Sequence, residues 1–207
     1  MKHEAVIEPN KSTIQDGLPK PRIYWAWATL MVGLTLAVID GTIANVALPT
    51  IAADFSAGPA ASIWIVNGYQ LAIVITLLPF AALGEIYSYR RIYLLGVSLF
   101  TLASIACVFA RSLEALTIAR IIQGFGAAGL MSVNAALLRY TVPQAKLGTA
   151  IGLNALFVAL SSTIGPTLAG IILHSLTWPW LFVINIPLGV LAVVMGMKSL
   201  PYNELSS

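Results

Sequence analysis

The feature that most constrains the fold is a long stretch without charge near the C-terminal end. From Leu147 to Met197 the chain contains no Asp, Glu, Lys or Arg. As one α-helix this stretch would be about 77 Å long, against a membrane hydrocarbon core of about 30 Å. It must therefore fold back on itself. We expect the reversal at residues 177–180, Thr-Trp-Pro-Trp, because proline ends helices and tryptophan favours the membrane interface. The reversal divides the stretch into two predicted membrane-spanning helices, at about 149–173 and 181–197.

The rest of the chain has the same character. It is 58% hydrophobic and only 9% charged, whereas a soluble domain has about 25% charged residues. So much apolar surface in a short chain predicts an all-α integral membrane protein. Four earlier apolar runs predict spans at about 23–48, 62–84, 92–110 and 115–138. Loops are expected at 49–61, 85–91, 111–114 and 139–146, with a polar tail at 1–22 and a polar end at 198–207. Residues 1–22 have no apolar core, so we expect no cleavable signal peptide.

The basic residues predict the orientation, because loops on the cytoplasmic side carry the excess of Lys and Arg. One side carries Lys11, Lys20, Arg22, Arg90, Arg91, Arg139, Lys146 and Lys198, and the opposite side carries Arg111. We therefore expect both termini in the cytoplasm. These residues stand singly or in pairs beside apolar runs, which argues against a nucleic-acid partner. The single cysteine, Cys107, cannot form a disulfide within the chain.

Two ionisable residues fall inside predicted spans, Asp40 and Arg120. An arginine at the centre of a membrane helix costs about 2.5–3.5 kcal/mol or more. The predicted topology places Asp40 about 12 Å before the outer end of helix 1 and Arg120 about 10 Å after the outer end of helix 4. At such similar depths they could form a static salt bridge. Alternatively Asp40 takes up and releases a proton while Arg120 acts as the neighbouring charge, or the two never meet. We favour proton exchange.

Motifs for catalysis are missing. Residues 124–129, Gly-Phe-Gly-Ala-Ala-Gly, match the dinucleotide fingerprint GxGxxG. They follow no strand, lie in a predicted membrane helix and have no acidic residue about 20 positions further on, so we reject a nucleotide site. Small residues at Gly124 and Ala128 instead predict close helix packing. There is no HExxH, GxSxG or carboxylate pair, and the only histidines are His3 and His174. We therefore predict that the chain is not an enzyme and that it has no metal site and no cofactor.

Four segments carry a family resemblance. Residues 40–49 read D-G-T-I-A-N-V-A-L-P, 120–128 read R-I-I-Q-G-F-G-A-A, 165–170 read G-P-T-L-A-G and 178–189 read W-P-W-L-F-V-I-N-I-P-L-G. They resemble the motifs D-x-T-I-V-N-V-A-L-P, R-x-x-Q-G-x-G-A-A, G-P-x-x-G-G and W-R-W-x-F-x-I-N-x-P-x-G of the 14-helix drug:proton antiporters in the major facilitator superfamily. Trp64 and Tyr69 also fit. Ala169 and Pro179 depart from the pattern, replacing a glycine and an arginine.

The resemblance implies a fold and a function. The fold would be the N-terminal six-helix bundle of this superfamily, built from two inverted three-helix repeats. The function would be proton-coupled efflux of drugs or other hydrophobic or cationic compounds across the bacterial inner membrane. Its partners would be the lipid bilayer, a small-molecule substrate and protons, with the proton gradient as energy source and no cofactor.

The same resemblance implies roles for particular residues. Asp40 and Arg120 would couple protons. Gly165 and Pro166 of the antiporter motif, which also contains Gly170, would bend or thin helix 5; the alternative is a proline kink with only a packing role. Several polar residues within the spans could line a substrate cavity, although a hydrogen bond between helices is an equally open alternative for each. They are Thr42, Asn45, Tyr69, Gln70, Gln123, Asn134 and Asn154.

The loop after helix 2 departs from the family pattern G-x-L-A-D-R-x-G-R-R/K. Glu85 keeps the acidic residue, but Ala81, Ile86 and Ser88 replace glycine, arginine and glycine. The resemblance implies that Glu85, Arg90 and Arg91 gate the cytoplasmic side. The alternative is that the arginines are ordinary charges of the cytoplasmic surface.

Six spans are fewer than the 14 of the family. One explanation is that this is the N-terminal part of an antiporter whose C-terminal half is missing here. A second copy could also complete a carrier, or the chain could be a truncated remnant or a membrane scaffold without transport activity.

Overall fold

The computed structural model describes residues 17–201 of the chain. Residues 1–16 of the predicted tail at 1–22, and the last residues, 202–207, lie outside this part. Within it are six apolar helices that are long enough to cross a membrane, and no strand. They are α1 (Arg22–Asp54), α2 (Pro59–Tyr87), α3 (Tyr89–Val108), α4 (Leu113–Thr141), α5 (Gln144–Ser175) and α6 (Trp180–Ser199). The predicted all-α bundle of six spans is confirmed.

The helices are longer than predicted, and three predicted loops shrink. Helix α1 continues through Pro49, so residues 49–54 are helical and only 55–58 remain as a loop. A single residue, Ser88, separates α2 from α3, and only Val142 and Pro143 separate α4 from α5. The prediction treated charged and proline residues as loop. In the structure they lie within the helices and extend them past the apolar runs.

Packing between the two halves of the bundle is reciprocal. Helix α4 packs mainly against α2 and α3, whereas α1 packs mainly against α5 and α6. The first helix of each three-helix repeat therefore inserts between the other two helices of the opposite repeat. Neither repeat buries its own first helix, so the bundle forms as one unit.

Glycines allow the closest of these contacts. A Cβ atom at Gly126 of α4 would lie 2.4 Å from the backbone nitrogen of Phe100 in α3. At Gly124 it would lie 2.5 Å from the carbonyl oxygen of Tyr69 in α2. The glycines that mimic a nucleotide fingerprint are therefore contacts between helices, as predicted.

Two apolar clusters form the core. One, with Leu30, Tyr93 and Leu137 among its members, fills the membrane side at which α1 begins. The other, with Ile51, Leu116 and Phe182, fills the opposite side. The buried polar side chains that join α1 to α3, α4 and α6 lie where the two clusters meet.

Candidate functional site

Asp40 and Arg120 form an ion pair in the interior of the bundle. The Arg120 Nη1 atom lies 2.5 Å from Oδ2 of Asp40, and the side chains are 0% and 1% exposed. The similar depth predicted for them is thus matched by direct contact. Because α1 runs on to Asp54, Asp40 lies 14 residues, or about 21 Å, from the C-terminal end of its helix. That is nearer the middle of α1 than predicted.

Two amides complete the surroundings of the carboxylate. The Oδ1 atom of Asp40 accepts hydrogen bonds from Asn185 Nδ2 at 2.6 Å and from Gln123 Nε2 at 3.1 Å. Gln123 also accepts from Arg120 Nη1 at 2.6 Å and donates to Ser104 Oγ at 2.9 Å. The thiol of Cys107 also donates to Gln123 Oε1 at 3.6 Å. The result is one buried network of six side chains from α1, α3, α4 and α6.

Aromatic rings and a backbone carbonyl enclose the guanidinium. Its central carbon lies 4.0 Å from the ring centre of Tyr69 and 5.6 Å from that of Phe182. Arg120 Nε donates to the carbonyl of Ile65 at 3.4 Å, and Tyr69 donates to the carbonyl of Ala37 at 3.2 Å. The buried Nη2 atom has no hydrogen-bond partner among the described residues. The cation is thus held largely by Asp40, Gln123 and ring faces.

This arrangement has a definite chemical capacity. Three donors converge on the Asp40 carboxylate, and one of them carries a full positive charge. A proton taken up by Asp40 would remove the charge that holds Arg120 and would replace an acceptor with a donor. The protonation state of one side chain is therefore tied to contacts among α1, α4 and α6.

The polar residues predicted to line a substrate cavity are not brought to one place. Gln123 and Tyr69 belong to the network around Arg120. Asn134 and Asn154 bond to each other at 3.2 Å, and Asn134 also donates to the carbonyl of Leu30. This is the alternative of hydrogen bonds between helices. The hydrogen bonds of Thr42 and Asn45 go to carbonyls of their own helix, and Gln70 is exposed. The role of all seven in substrate binding stays a prediction.

Sequence reasoning missed three members of the network, Asn185, Ser104 and Cys107. Asn185 interrupts an apolar run and lies in the family-like segment 178–189, so a signal for it existed. Ser104 has no such signal, because serine is common in membrane helices.

The predicted antiporter motif lies on α5, where it meets α1. A Cβ atom at Gly165 would lie 1.9 Å from Oγ1 of Thr42, so the glycine permits this contact. Pro166 lies inside the helix and is exposed, and Gly170 is exposed with open space around it. The role of these residues in shaping helix 5 stays a prediction.

The three residues predicted to gate the cytoplasmic side have different environments. Glu85 and Arg91 are exposed, whereas Arg90 is 9% exposed and donates to the carbonyl of Met197 near the end of α6. A cation there is stabilised by the free carbonyls of the helix C-terminus. Arg90 thus joins α3 to α6 inside the bundle, and a gating role for these residues stays a prediction.

Comparison with known proteins gives consistent matches. The family model described as Major Facilitator Superfamily matches residues 30–205. "Uncharacterized transporter YebQ" of Escherichia coli K12 is 55% identical over 91% of this chain and 41% of its own length. "Riboflavin transporter RibZ" of Clostridioides difficile 630 is 38% identical over 84% of this chain and 39% of its own. "Multidrug resistance protein Stp" of Mycobacterium tuberculosis CDC 1551 is 39% identical over 80% of this chain and 31% of its own.

A solved structure shares the fold. It is a bacterial homologue of the human lysosomal transporter Spinster, in an inward-facing and unoccupied conformation. The TM-score is 0.68 at 18% identity, over 90% of this chain and 45% of that one. The chain therefore spans less than half the length of the relatives and of the structure it matches.

Proposed function

The chain belongs to the Major Facilitator Superfamily, and from that premise we propose that it is the N-terminal part of a proton-coupled efflux carrier. Its substrates would be drugs or other small hydrophobic or cationic compounds. The protein would lie in the bacterial inner membrane with both termini in the cytoplasm, because the basic residues concentrate on the side where α1 begins.

The buried network around Asp40 carries this proposal. A carboxylate inside a membrane bundle can take up and release protons, and its only charged contact among the described residues is Arg120. Buried ion pairs contribute little to stability, because desolvation offsets their attraction. A pair that joins α1 to α4, with Asn185 of α6 bound to the same carboxylate, is better explained as a switch that responds to protons.

The relatives support the substrate class. "Multidrug resistance protein Stp" and the "Tetracenomycin C resistance and export protein" of Streptomyces glaucescens are named for resistance or export. The latter is 35% identical over 83% of this chain. RibZ is named for riboflavin instead. The family and these relatives are transporters rather than enzymes.

Efflux of a cationic dye tests the proposal. Cells that lack their major efflux pumps would express the chain completed with the remaining C-terminal part of YebQ, which is 55% identical over 91% of this chain. They would be loaded with ethidium and then given glucose. We expect energised efflux that collapses when a protonophore removes the gradient. Asp40→Asn should lower the rate at least about tenfold, because the carboxylate is the proposed proton carrier, while Arg139→Gln at the exposed end of α4 should leave it unchanged.

Three results would count against the proposal. Efflux that persists without the gradient would remove proton coupling. Full efflux by Asp40→Asn would remove Asp40 from the mechanism. A membrane-inserted and folded chain that exports nothing would favour the alternative of a remnant or a scaffold without activity of its own.

A further inference from the structure

A second site lies at the membrane side where α1 begins, far from Asp40. It is a cavity of about 480 Å³ between the start of α1, the α4–α5 connection and the first turns of α5. Ile23, Tyr24 and Trp27 line it from α1, and Thr149 and Leu153 line it from α5. The volume is within the range of about 300–1,000 Å³ that small ligands occupy.

One wall of the cavity is held in place by the segment that precedes α1. Gly17 adopts a φ of +87°, a conformation that favours glycine, and a Cβ atom there would lie 2.8 Å from the ring of Pro143. Leu18 donates its backbone N–H to the carbonyl of Thr141 at 3.1 Å and packs against the apolar core. The wall is therefore built into the fold.

The lining is cationic at its rim and apolar inside. Lys20 and Lys146 are both exposed, and no acidic residue is among the lining residues. The inner surface is formed by side chains such as Ile23, Trp27 and Leu153. The buried Trp27 Nε1 has no hydrogen-bond partner among residues 17–201. A matching occupant has an apolar body and an anionic head.

The position in the membrane selects the occupant. Lys20 lies just before the start of α1, and Lys146 lies in the first turn of α5. Both are thus at the level of the lipid headgroups. Basic pockets between membrane helices at this level favour anionic lipid heads.

We propose that this cavity binds an anionic phospholipid. Its phosphate would lie between Lys20 and Lys146, and an acyl chain would lie against Trp27 and Leu153. The orientation proposed above makes it a lipid of the cytoplasmic leaflet, but binding does not depend on transport.

Native mass spectrometry of the purified 207-residue chain in a mild non-ionic detergent tests this site. The probes are phosphatidylglycerol and phosphatidylcholine with identical acyl chains, added as an equimolar mixture. We expect a clear preference for phosphatidylglycerol. A lysine near an anionic surface contributes roughly fivefold, so Lys20→Gln with Lys146→Gln should lower the preference by about 25-fold.

Two further variants separate the cavity from general surface charge. The control pair Arg91→Gln with Arg139→Gln removes two exposed basic residues outside the cavity and should keep the preference. Thr149→Trp fills the cavity while both lysines stay, and it should abolish the preference. Circular dichroism would verify that each variant is folded.

Equal binding of the two lipids by the unaltered chain would overturn the proposal. So would a preference that survives Thr149→Trp, or one that the control pair removes as fully as the lysine pair does. A dimer that Thr149→Trp converts to a monomer would mean that a second copy of the chain occupies the cavity, and this too would overturn it.

Discussion

Removing Arg120 should leave the Asp40 carboxylate buried without a counter-charge. In Arg120→Gln the carboxylate keeps its hydrogen bonds from Asn185 and Gln123 but loses its only charged donor among the described residues. Breaking one side of a buried ion pair costs about 3–5 kcal/mol. The substitution also removes the buried Nη2 atom that lacks a hydrogen-bond partner, and this offsets about 1–3 kcal/mol of the cost. We expect a net loss of about 2 kcal/mol in the free energy of unfolding.

The double variant separates charge imbalance from lost packing. Asp40→Asn with Arg120→Gln leaves neither charge, so the chain should recover most of the loss suffered by Arg120→Gln. The coupling free energy of the cycle should be about 2–3 kcal/mol, which is typical of residues in direct contact.

Reversible unfolding by SDS in mixed micelles, followed by circular dichroism, measures these free energies. Arg139→Gln is the matched control, because this arginine lies on the same helix but is exposed, and it should change stability by less than about 0.5 kcal/mol. Losses that simply add in the double variant would refute the reasoning, as would a loss below about 1 kcal/mol for Arg120→Gln.

Three further variants test other parts of the fold by the same unfolding measurement. Ser88→Gly should stabilise the chain by about 1 kcal/mol. Ser88 has a φ of 100° between α2 and α3, and such backbone strain costs about 1–3 kcal/mol. Unchanged or lower stability would argue against strain at this residue. Gly126→Ala should destabilise the chain by about 1–3 kcal/mol, because the added methyl group overpacks α3 against α4. Gly152 has open space around it, so Gly152→Ala should be neutral or stabilising. Equal effects of the two variants would contradict the close contact at Gly126. Asn185→Leu should cost about 1.5–3 kcal/mol, because it removes a hydrogen bond to a charged acceptor, and no loss would mean that the carboxylate does not need this donor.

The ion pair could be predicted because depth follows from counting residues along helices. Asp40 and Arg120 are both costly in a membrane, and the topology placed them at one level. Counting does not give the rotation of a helix about its axis, which decides which side chains meet. Asn185 is 145 residues from Asp40 in the chain, and its contact depends on how α6 turns toward α1.

The helix ends were less predictable for a different reason. A charge or a proline marks the edge of the apolar region, but a helix does not stop at that edge. Pro49 lies within α1. Arg90 is buried at the start of α3, where it donates a hydrogen bond to the carbonyl of Met197 near the end of α6. The partner of Arg90 comes from another helix, so the local sequence around Arg90 does not contain it.

The reciprocal packing of the repeats also constrains how the protein is made. The packing partners of α1 are chiefly α5 and α6, which come later in the chain. Helix α1 therefore emerges from the ribosome before its partners have been synthesised. Arg120 follows Asp40 by 80 residues, which at about 5–20 residues per second is a delay of about 4–16 s. During that interval the first three helices lack the cation that neutralises Asp40. Until Arg120 of α4 is available, the Asp40 charge must be solvated in a water-filled translocation channel, neutralised by a proton or shielded by a chaperone.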